Sequence, residues 1–208
     1  MNIVYVHGLD SDANSTKGLL LDQYCQKHHP EITVYRPDLN QSPEQVFSYL
    51  TELVTQLSND SKVVLVGSSL GGYFSTLVSN ETGCAALLIN PSTQPHITLQ
   101  RFEDDKGADT LKTDDNQNMT LHTTEGGWAI TKSDLQWFAH HQLLTVENPS
   151  QVTVMLKKGD ELLDANLSAA FYKQQSATVT IQEGGDHRFT DFAEHLPEVI
   201  KIVKQLSK

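Results

Sequence analysis

A serine flanked by glycines stands between an apolar strand and a helix, and this arrangement restricts the fold more than any other part of the sequence. The segment reads VVLVGSSLGG at residues 63–72, which contains G-x-S-x-G with Ser69 at its centre. A residue on such a sharp strand-to-helix turn is held in a strained backbone conformation, and Gly67 and Gly71 let the chain turn that tightly. The turn therefore presents the Ser69 hydroxyl above a sheet as a candidate nucleophile.

Short apolar segments alternate with helical patterns along the chain. Most of them are continuously apolar or nearly so, which is typical of strands covered on both faces. A capping box at residues 42–45 begins one intervening helix, and Asp164 begins another with Leu163, Leu167, Ala170 and Phe171 on one face. This alternation predicts an α/β fold with a mostly parallel sheet of about six strands. The predicted strands are Ile3–Val6, Ile32–Tyr35, Val63–Val66, Ala86–Ile89, Val152–Leu156 and Thr178–Ile181.

The segment from Pro91 to about Ser150 departs from this alternation. It shows no convincing strand, and it contains one helical pattern, capped near Thr131 or Ser133, that carries Trp137. A segment of this length is too long for an ordinary connection within a compact domain. We therefore expect one domain over residues 1–208, with a lid-like insertion at residues 91–150 that covers a binding site.

Charge and composition restrict the partners of the chain. There are 15 basic and 26 acidic residues, a net charge of −11, and the basic residues are not clustered. This balance argues against a partner that is a nucleic acid or an anionic membrane. The beginning of the sequence has no basic leader, and no apolar run approaches the roughly 18 residues of a membrane helix, so we expect a cytoplasmic protein. The sequence does not indicate an oligomeric state.

The cysteines and glycines give no sign of a metal or a cofactor. Two cysteines cannot form a disulfide framework or a four-ligand zinc site by themselves. The glycines at residues 67–72 lack the spacing of a dinucleotide-binding loop and the lysine of a phosphate-binding loop. We therefore expect neither a metal ion nor a cofactor.

A serine nucleophile requires a base, and the base requires a group that orients it. On this architecture the expected chain order is serine, acid, histidine, with the last two placed after late strands. Asp160 follows the strand that ends at Leu156, and His187 follows the strand that ends at Ile181. Glu161 and Asp164 remain alternatives for the acid, although Asp164 is better explained as a helix N-cap.

The carbonyl oxygen of a substrate requires hydrogen-bond donors in the transition state. One donor is expected from the residue after the nucleophile, and the other from a loop after an early strand. We therefore assign the oxyanion hole to the backbone N–H groups of Leu70 and Leu9. His7, two residues before Leu9, is expected to hold this loop in place rather than to act as a base.

Six short motifs form an ordered set between residues 7 and 189: HGLDS at 7–11, NSTK at 14–17, GSSLGGY at 67–73, NP at 90–91, GDE at 159–161 and EGGDH at 183–187. Together they resemble the YqiA-type small esterases, a family of bacterial proteins in the α/β-hydrolase superfamily. The resemblance covers nearly the whole chain, but no family pattern is present from Thr93 to Glu147. It implies a three-layer α/β-hydrolase fold shortened at its N-terminus, with Ser69, Asp160 and His187 as the catalytic triad.

We therefore expect a hydrolase that cleaves small-molecule acyl esters through an acyl-enzyme intermediate. A thioesterase or acyltransferase that acts on acyl-CoA thioesters would use the same triad. A binding protein on a retained hydrolase scaffold is the alternative from a different class, because a fold does not fix a function.

Overall fold

Six parallel strands form the central sheet of the protein. The structure, a computed structural model, describes residues 1–104 and 119–208. The sheet has the strand order β2-β1-β3-β4-β7-β8, and each neighbouring pair is parallel. All six strands predicted from the sequence are confirmed, with ends that differ by one or two residues. The strands are β1 (Asn2–Val6), β2 (Thr33–Tyr35), β3 (Val63–Ser68), β4 (Ala85–Ile89), β5 (Thr120–Thr123), β6 (Ala129–Thr131), β7 (Val152–Lys157) and β8 (Thr178–Gln182).

Helices cover both faces of the sheet and give the fold its three layers. Alternate residues of β1 show this division, because Ile3 and Tyr5 pack in one apolar cluster while Val4 and Val6 pack in the other. Helices α1 and α8 belong to the first cluster, and α2, α3, α6 and α7 belong to the second. The helices are α1 (Thr16–His28), α2 (Pro43–Ser58), α3 (Leu70–Thr82), α4 (Pro95–Thr98), α5 (Arg101–Asp104), α6 (Lys132–His140), α7 (Ala165–Gln174) and α8 (Phe192–Leu206). None of the helices in the described part of the chain is long and apolar enough to span a membrane.

The central strands are buried and the edge strands are not. Every residue of β3, β4 and β7 is buried, whereas β2 and β8 have exposed residues along their length. This difference follows from the order of the sheet, since β2 and β8 are its two edges. The carboxyl ends of all six strands meet at one edge, where the loops after β1, β3, β7 and β8 come together.

Two predicted helix starts are confirmed by their caps. Ser42 and Gln45 form the capping box that begins α2, with Pro43 in its first turn. Thr131 caps α6, and its backbone N–H donates a hydrogen bond to the Asp134 carboxylate at 2.9 Å. Each cap satisfies N–H groups that the first helical turn leaves without an intrahelical acceptor.

The buried face of α7 differs from the prediction. Ala165, Ser168, Ala169 and Tyr172 are its buried residues, while Leu167 is 60% exposed. The Tyr172 hydroxyl lies 2.9 Å from the Thr76 hydroxyl of α3, and both residues are buried. The buried face thus consists of small residues and a tyrosine whose hydroxyl is paired, which an apolar pattern does not reveal.

The expectation that residues 91–150 contain no strand is wrong. An antiparallel hairpin of β5 and β6 lies in this segment, and its short, partly polar strands explain why the sequence pattern did not reveal it. The described parts share the main core, because Trp128, Ile130 and Phe138 pack in one cluster with Phe74. Residues 105–118 of the predicted insertion lie outside the described residues. Its role as a lid stays a prediction.

Candidate active site

Ser69 lies on a tight turn between β3 and α3 that only small neighbours permit. Its φ of 54° and ψ of −120° place it in a region that L-residues rarely adopt. A Cβ atom on Gly71 would collide with the carbonyl oxygens of Val6 and His7, and one on Gly67 would collide with the Gly71 carbonyl. The two glycines therefore fulfil the steric role that the motif predicts.

Three side chains that are far apart in the sequence form one hydrogen-bonded chain. His187 Nε2 lies 2.8 Å from Ser69 Oγ, and His187 Nδ1 lies 2.8 Å from Oδ2 and 3.0 Å from Oδ1 of Asp160. The side chains of Asp160 and His187 are 2% and 11% exposed. A carboxylate only accepts hydrogen bonds, so Nδ1 carries the proton and Nε2 is left to accept the Ser69 hydroxyl proton.

The two alternative acids have other partners. Asp164 is the N-cap of α7 and accepts hydrogen bonds from the N–H groups of Asn166 and Leu167, as the sequence indicates. Glu161 accepts a hydrogen bond from the backbone N–H of His187 at 2.9 Å. Of the three carboxylates, only Asp160 contacts the imidazole.

Asn90 holds the histidine loop, a role that was not predicted. Its Nδ2 donates hydrogen bonds to the carbonyl oxygens of Asp186 and His187, both at 3.1 Å. Its Oδ1 accepts from the Lys157 N–H at 2.8 Å, so one amide ties β4 and β7 to the loop after β8. Its φ is 41°, a conformation that asparagine tolerates better than most residues. The sequence does contain a signal for this role. Asn90 is a polar residue that directly follows the buried strand β4, and the carboxyl end of β4 lies at the same edge of the sheet as Ser69.

A buried lysine lies under the same loop. The Lys157 side chain is 4% exposed, and its Nζ contacts Asp191 Oδ2 at 2.5 Å and His195 Nε2 at 3.1 Å. Nζ also lies 4.4 Å from the ring centroid of Phe189, two residues after His187. Burial by itself would raise the pKa of Asp191, but the hydrogen bonds from Lys157 and His195 outweigh it and lower that pKa.

His7 fixes the loop that follows β1. Its Nδ1 donates to the Gly8 carbonyl at 2.9 Å, and its Nε2 accepts from the Leu39 N–H at 2.9 Å. The residue is 5% exposed, and burial lowers the pKa of its imidazole. A neutral ring with these two partners holds the loop, in agreement with the role expected from the sequence.

The loop after β1 passes beside the nucleophile. A Cβ atom on Gly8 would lie 3.1 Å from Ser69 Cβ, which shows how closely the two backbones approach. Leu9 and Leu70 line the cavity at Ser69, and among the described residues no acceptor takes a hydrogen bond from either N–H group. Both groups have the proximity and the freedom that an oxyanion hole requires.

A cavity of about 580 Å³ opens at Ser69 and His187. Apolar side chains from several loops line it, including Leu99, Leu162 and Leu163. It also has polar walls, to which Lys17 and Arg188 contribute. Within residues 1–104 and 119–208 there is no group of three His, Cys, Asp or Glu side chains placed to hold a metal ion.

Comparison with known proteins identifies the family. Residues 2–204 match the model of a family described as "Uncharacterised protein family (UPF0227)". The chain belongs to the UPF0227 family. A UPF0227 protein of Shewanella oneidensis is 23% identical over 201 residues, which cover 95% of this chain and 96% of that protein. Membership of UPF0227 confirms the resemblance to YqiA-type proteins.

Solved structures confirm the α/β-hydrolase fold of this UPF0227 chain. Alpha/beta hydrolase domain-containing protein 10 from mouse superposes with a TM-score of 0.72 at 18% identity, covering 99% of this chain and 90% of that one. Est1E from Butyrivibrio proteoclasticus, solved with ferulic acid bound, has a TM-score of 0.72 at 16% identity and coverages of 100% and 88%. An esterase domain from a Rhodothermus marinus protein has a TM-score of 0.64 at 18% identity and coverages of 96% and 84%. At these identities the likeness shows the fold alone.

Proposed function

We propose that the protein is a serine hydrolase that cleaves carboxylic esters or thioesters of small molecules. The observation that carries the proposal is the chain of hydrogen bonds from Ser69 through His187 to Asp160 at a cavity. The names of structural neighbours, among them an esterase domain, are consistent with this chemistry.

In the first step His187 Nε2 takes the Ser69 proton while Ser69 Oγ attacks the carbonyl carbon of the ester. The imidazolium that forms lies against the buried Asp160 carboxylate, which stabilises its charge and keeps its orientation. The N–H groups of Leu9 and Leu70 stabilise the negative charge on the carbonyl oxygen. His187 then donates the proton to the departing alcohol or thiol, and the acyl group stays on Ser69.

In the second step His187 accepts a proton from water, and the resulting hydroxide equivalent attacks the acyl-serine. Collapse of the tetrahedral intermediate returns the proton to Ser69 and releases the carboxylic acid. The apolar side chains of the cavity, such as Leu99 and Leu163, provide a surface for the acyl chain.

Labelling with a fluorophosphonate probe, together with hydrolysis of para-nitrophenyl butyrate, tests the proposal. We expect labelling of Ser69, and a loss of about a thousandfold or more in kcat for Ser69→Ala and for His187→Ala. Ser68→Ala is the matched control, because it removes the neighbouring hydroxyl of the same motif and should retain labelling.

Wild-type protein that is folded but neither labelled nor active would contradict the proposal and favour a binding protein. Labelling that survives in Ser69→Ala would assign the nucleophile to another residue. Thermal unfolding of each variant separates loss of activity from loss of the fold.

A further inference from the structure

Three cationic side chains that the proposed reaction does not use line the same cavity as Ser69, and two of them, Lys17 and Arg188, adjoin each other. Lys17 lies in the first turn of α1, and Arg188 directly follows His187. Lys17 Nζ donates a hydrogen bond to the Arg188 carbonyl oxygen at 2.6 Å. The Arg188 guanidinium is exposed, and in residues 1–104 and 119–208 nothing pairs with it. In a chain with a net charge of −11, two adjoining cations at the wall of the cavity that contains Ser69 need an explanation.

The packing of α1 against β1 brings Lys17 to the cavity. Gly18 makes the close contact, since a Cβ atom there would come within 2.9 Å of Cδ1 of Tyr5. Tyr5, the next-to-last residue of the buried strand β1, itself lines the cavity. The first turn of α1 therefore packs closely against β1, and Lys17 forms part of the cavity wall.

The ammonium group of Lys17 has more donors than partners. An ammonium carries three N–H donors, and the Arg188 carbonyl uses one of them. No carboxylate oxygen of the described residues lies within 4.0 Å of Nζ. Withdrawing a cation from water without a counter-ion is costly, and burial lowers the pKa of Lys17 to about 8. An anionic group in the cavity would supply the missing partner.

The nearest acidic residue is engaged elsewhere. Asp186 attracts Lys17 through space and so opposes the lowering of its pKa. Its carboxylate, however, accepts hydrogen bonds from the hydroxyl and the N–H of Thr190, at 2.5 and 3.1 Å. Asp10, which also lines the cavity, accepts from the Glu125 N–H at 3.3 Å and faces the hairpin of β5 and β6.

A buried hydroxyl without a partner lies at the wall of the same cavity. Ser92 is 4% exposed and lines the cavity, and its Oγ has no hydrogen-bond partner among the described residues. The Ser92 N–H donates to the Ser69 carbonyl oxygen at 3.0 Å, so this hydroxyl belongs to a residue in direct contact with the nucleophile. Buried polar groups are normally paired, so this unpaired hydroxyl marks the wall of the cavity as incompletely satisfied among the described residues.

We propose that Lys17 and Arg188 form an anion subsite, so that the preferred substrate is an ester or thioester that carries a carboxylate or phosphate group. This inference rests on the proposed hydrolase function and specifies its substrate class. The anionic group belongs either to the acyl part of the substrate or to its leaving group. Both parts extend from the carbonyl carbon at Ser69 into the cavity that Lys17 and Arg188 line, so either part can carry the charge.

Two pairs of substrates separate these sources. Para-nitrophenyl butyrate and the mono-para-nitrophenyl ester of glutaric acid differ by a carboxylate on the acyl part. The butyryl thioesters of pantetheine and of 4′-phosphopantetheine differ by a phosphate on the leaving group. In at least one pair we expect kcat/KM of the wild type to be about 10-fold or more higher for the anionic member, as a charge-assisted hydrogen bond allows.

Lys17→Met should reduce this preference about 10-fold, and Lys17→Arg should retain most of it because the positive charge remains. About 0.5 M salt should weaken the preference in the wild type by screening. Lys27→Met is the matched control, since Lys27 is an exposed lysine of the same helix α1 and its loss should not alter the preference.

The outcomes also separate this inference from the function on which it rests. If Lys17→Met lowers kcat/KM equally for anionic and neutral members, Lys17 only braces the loop through Arg188 and the subsite is refuted. Equal turnover of both members by the wild type, with Ser69 labelled, refutes the subsite and leaves the hydrolase intact. If no substrate is hydrolysed and Ser69 is not labelled, the hydrolase proposal fails and the subsite fails with it.

Discussion

Replacing Asn90 with aspartate tests whether a single amide sets the position of the proposed catalytic histidine. Aspartate has nearly the same shape, tolerates a positive φ, and keeps an oxygen for the Lys157 N–H. It removes the two N–H donors that now reach the carbonyl oxygens of Asp186 and His187. The variant therefore changes the support of the histidine loop and leaves Ser69, His187 and Asp160 themselves intact.

The size of the effect follows from the bonds that are lost. Each neutral hydrogen bond contributes about 1 kcal/mol net, so the two lost bonds amount to about 2 kcal/mol in favour of displaced loop positions. If the reaction requires the present position of His187, a cost of about 2 kcal/mol corresponds to about a 30-fold lower kcat. The full factor applies when the displaced positions dominate, and the repulsion between a carboxylate oxygen and two carbonyl oxygens favours those positions further.

Steady-state hydrolysis of para-nitrophenyl butyrate provides the assay. We expect Asn90→Asp to lower kcat by about this factor while KM changes less than about 3-fold, because the cavity walls outside the histidine loop are unchanged. Asn59→Asp is the control, since it makes the same chemical change at the exposed C-cap of α2. An unchanged kcat accompanied by a lower melting temperature would show that Asn90 only stabilises the fold, and would refute the positioning argument.

Three further perturbations test separate parts of the site. Asp160→Asn should lower kcat about a thousandfold or more, whereas Glu161→Gln should change it less than about 3-fold, because only Asp160 contacts the imidazole. Gly71→Ala should destabilise the fold by about 3 kcal/mol or more in urea unfolding, since the new Cβ collides with the Val6 carbonyl oxygen. Stability should fall as the pH drops below about 6.5, because unfolded His7 takes up a proton there while burial keeps the folded imidazole neutral to a lower pH. Free energies of unfolding at about pH 7.5 and about pH 5.5 measure this loss, and it should be smaller in His7→Gln.

Each of these expectations has a control or a contrary result. A comparable loss of activity in Glu161→Gln would move the orienting role away from Asp160. Gly83→Ala is the glycine control, because a Cβ there meets no atom within 4 Å and only the positive φ of 73° is unfavourable. Equal destabilisation of both glycine variants would remove the steric argument at Gly71. A pH dependence that is identical in His7→Gln would assign the acid sensitivity to other groups.

The sheet and the serine turn could be predicted because local sequence encodes them. Strands buried on both faces, such as β3 and β4, are continuous apolar runs, and the glycines at 67 and 71 mark the turn. Ser69, Asp160 and His187 could be selected because each follows a strand of the parallel sheet, and the carboxyl ends of these strands lie at one edge. Their hydrogen-bonded contact, by contrast, required coordinates.

The supporting residues could not be predicted because their partners are distant in sequence. Asn90 bonds to the backbone 96 and 97 residues away, and Lys157 meets Asp191 34 residues away. No periodicity reports such contacts. The same limit applies to α7, where Tyr172 on the buried side pairs its hydroxyl with that of Thr76, 96 residues away.

The position of β8 at the edge of the sheet has a consequence for the order in which parts of the protein unfold. The hydroxyl at residue 69 and the carboxylate at residue 160 follow fully covered strands, but the imidazole at residue 187 follows the strand with solvent along one side. Detachment of that outermost strand breaks the proton path while the interior stays packed. Loss of the proposed activity is therefore expected before global denaturation, because it requires only one edge of the sheet to open.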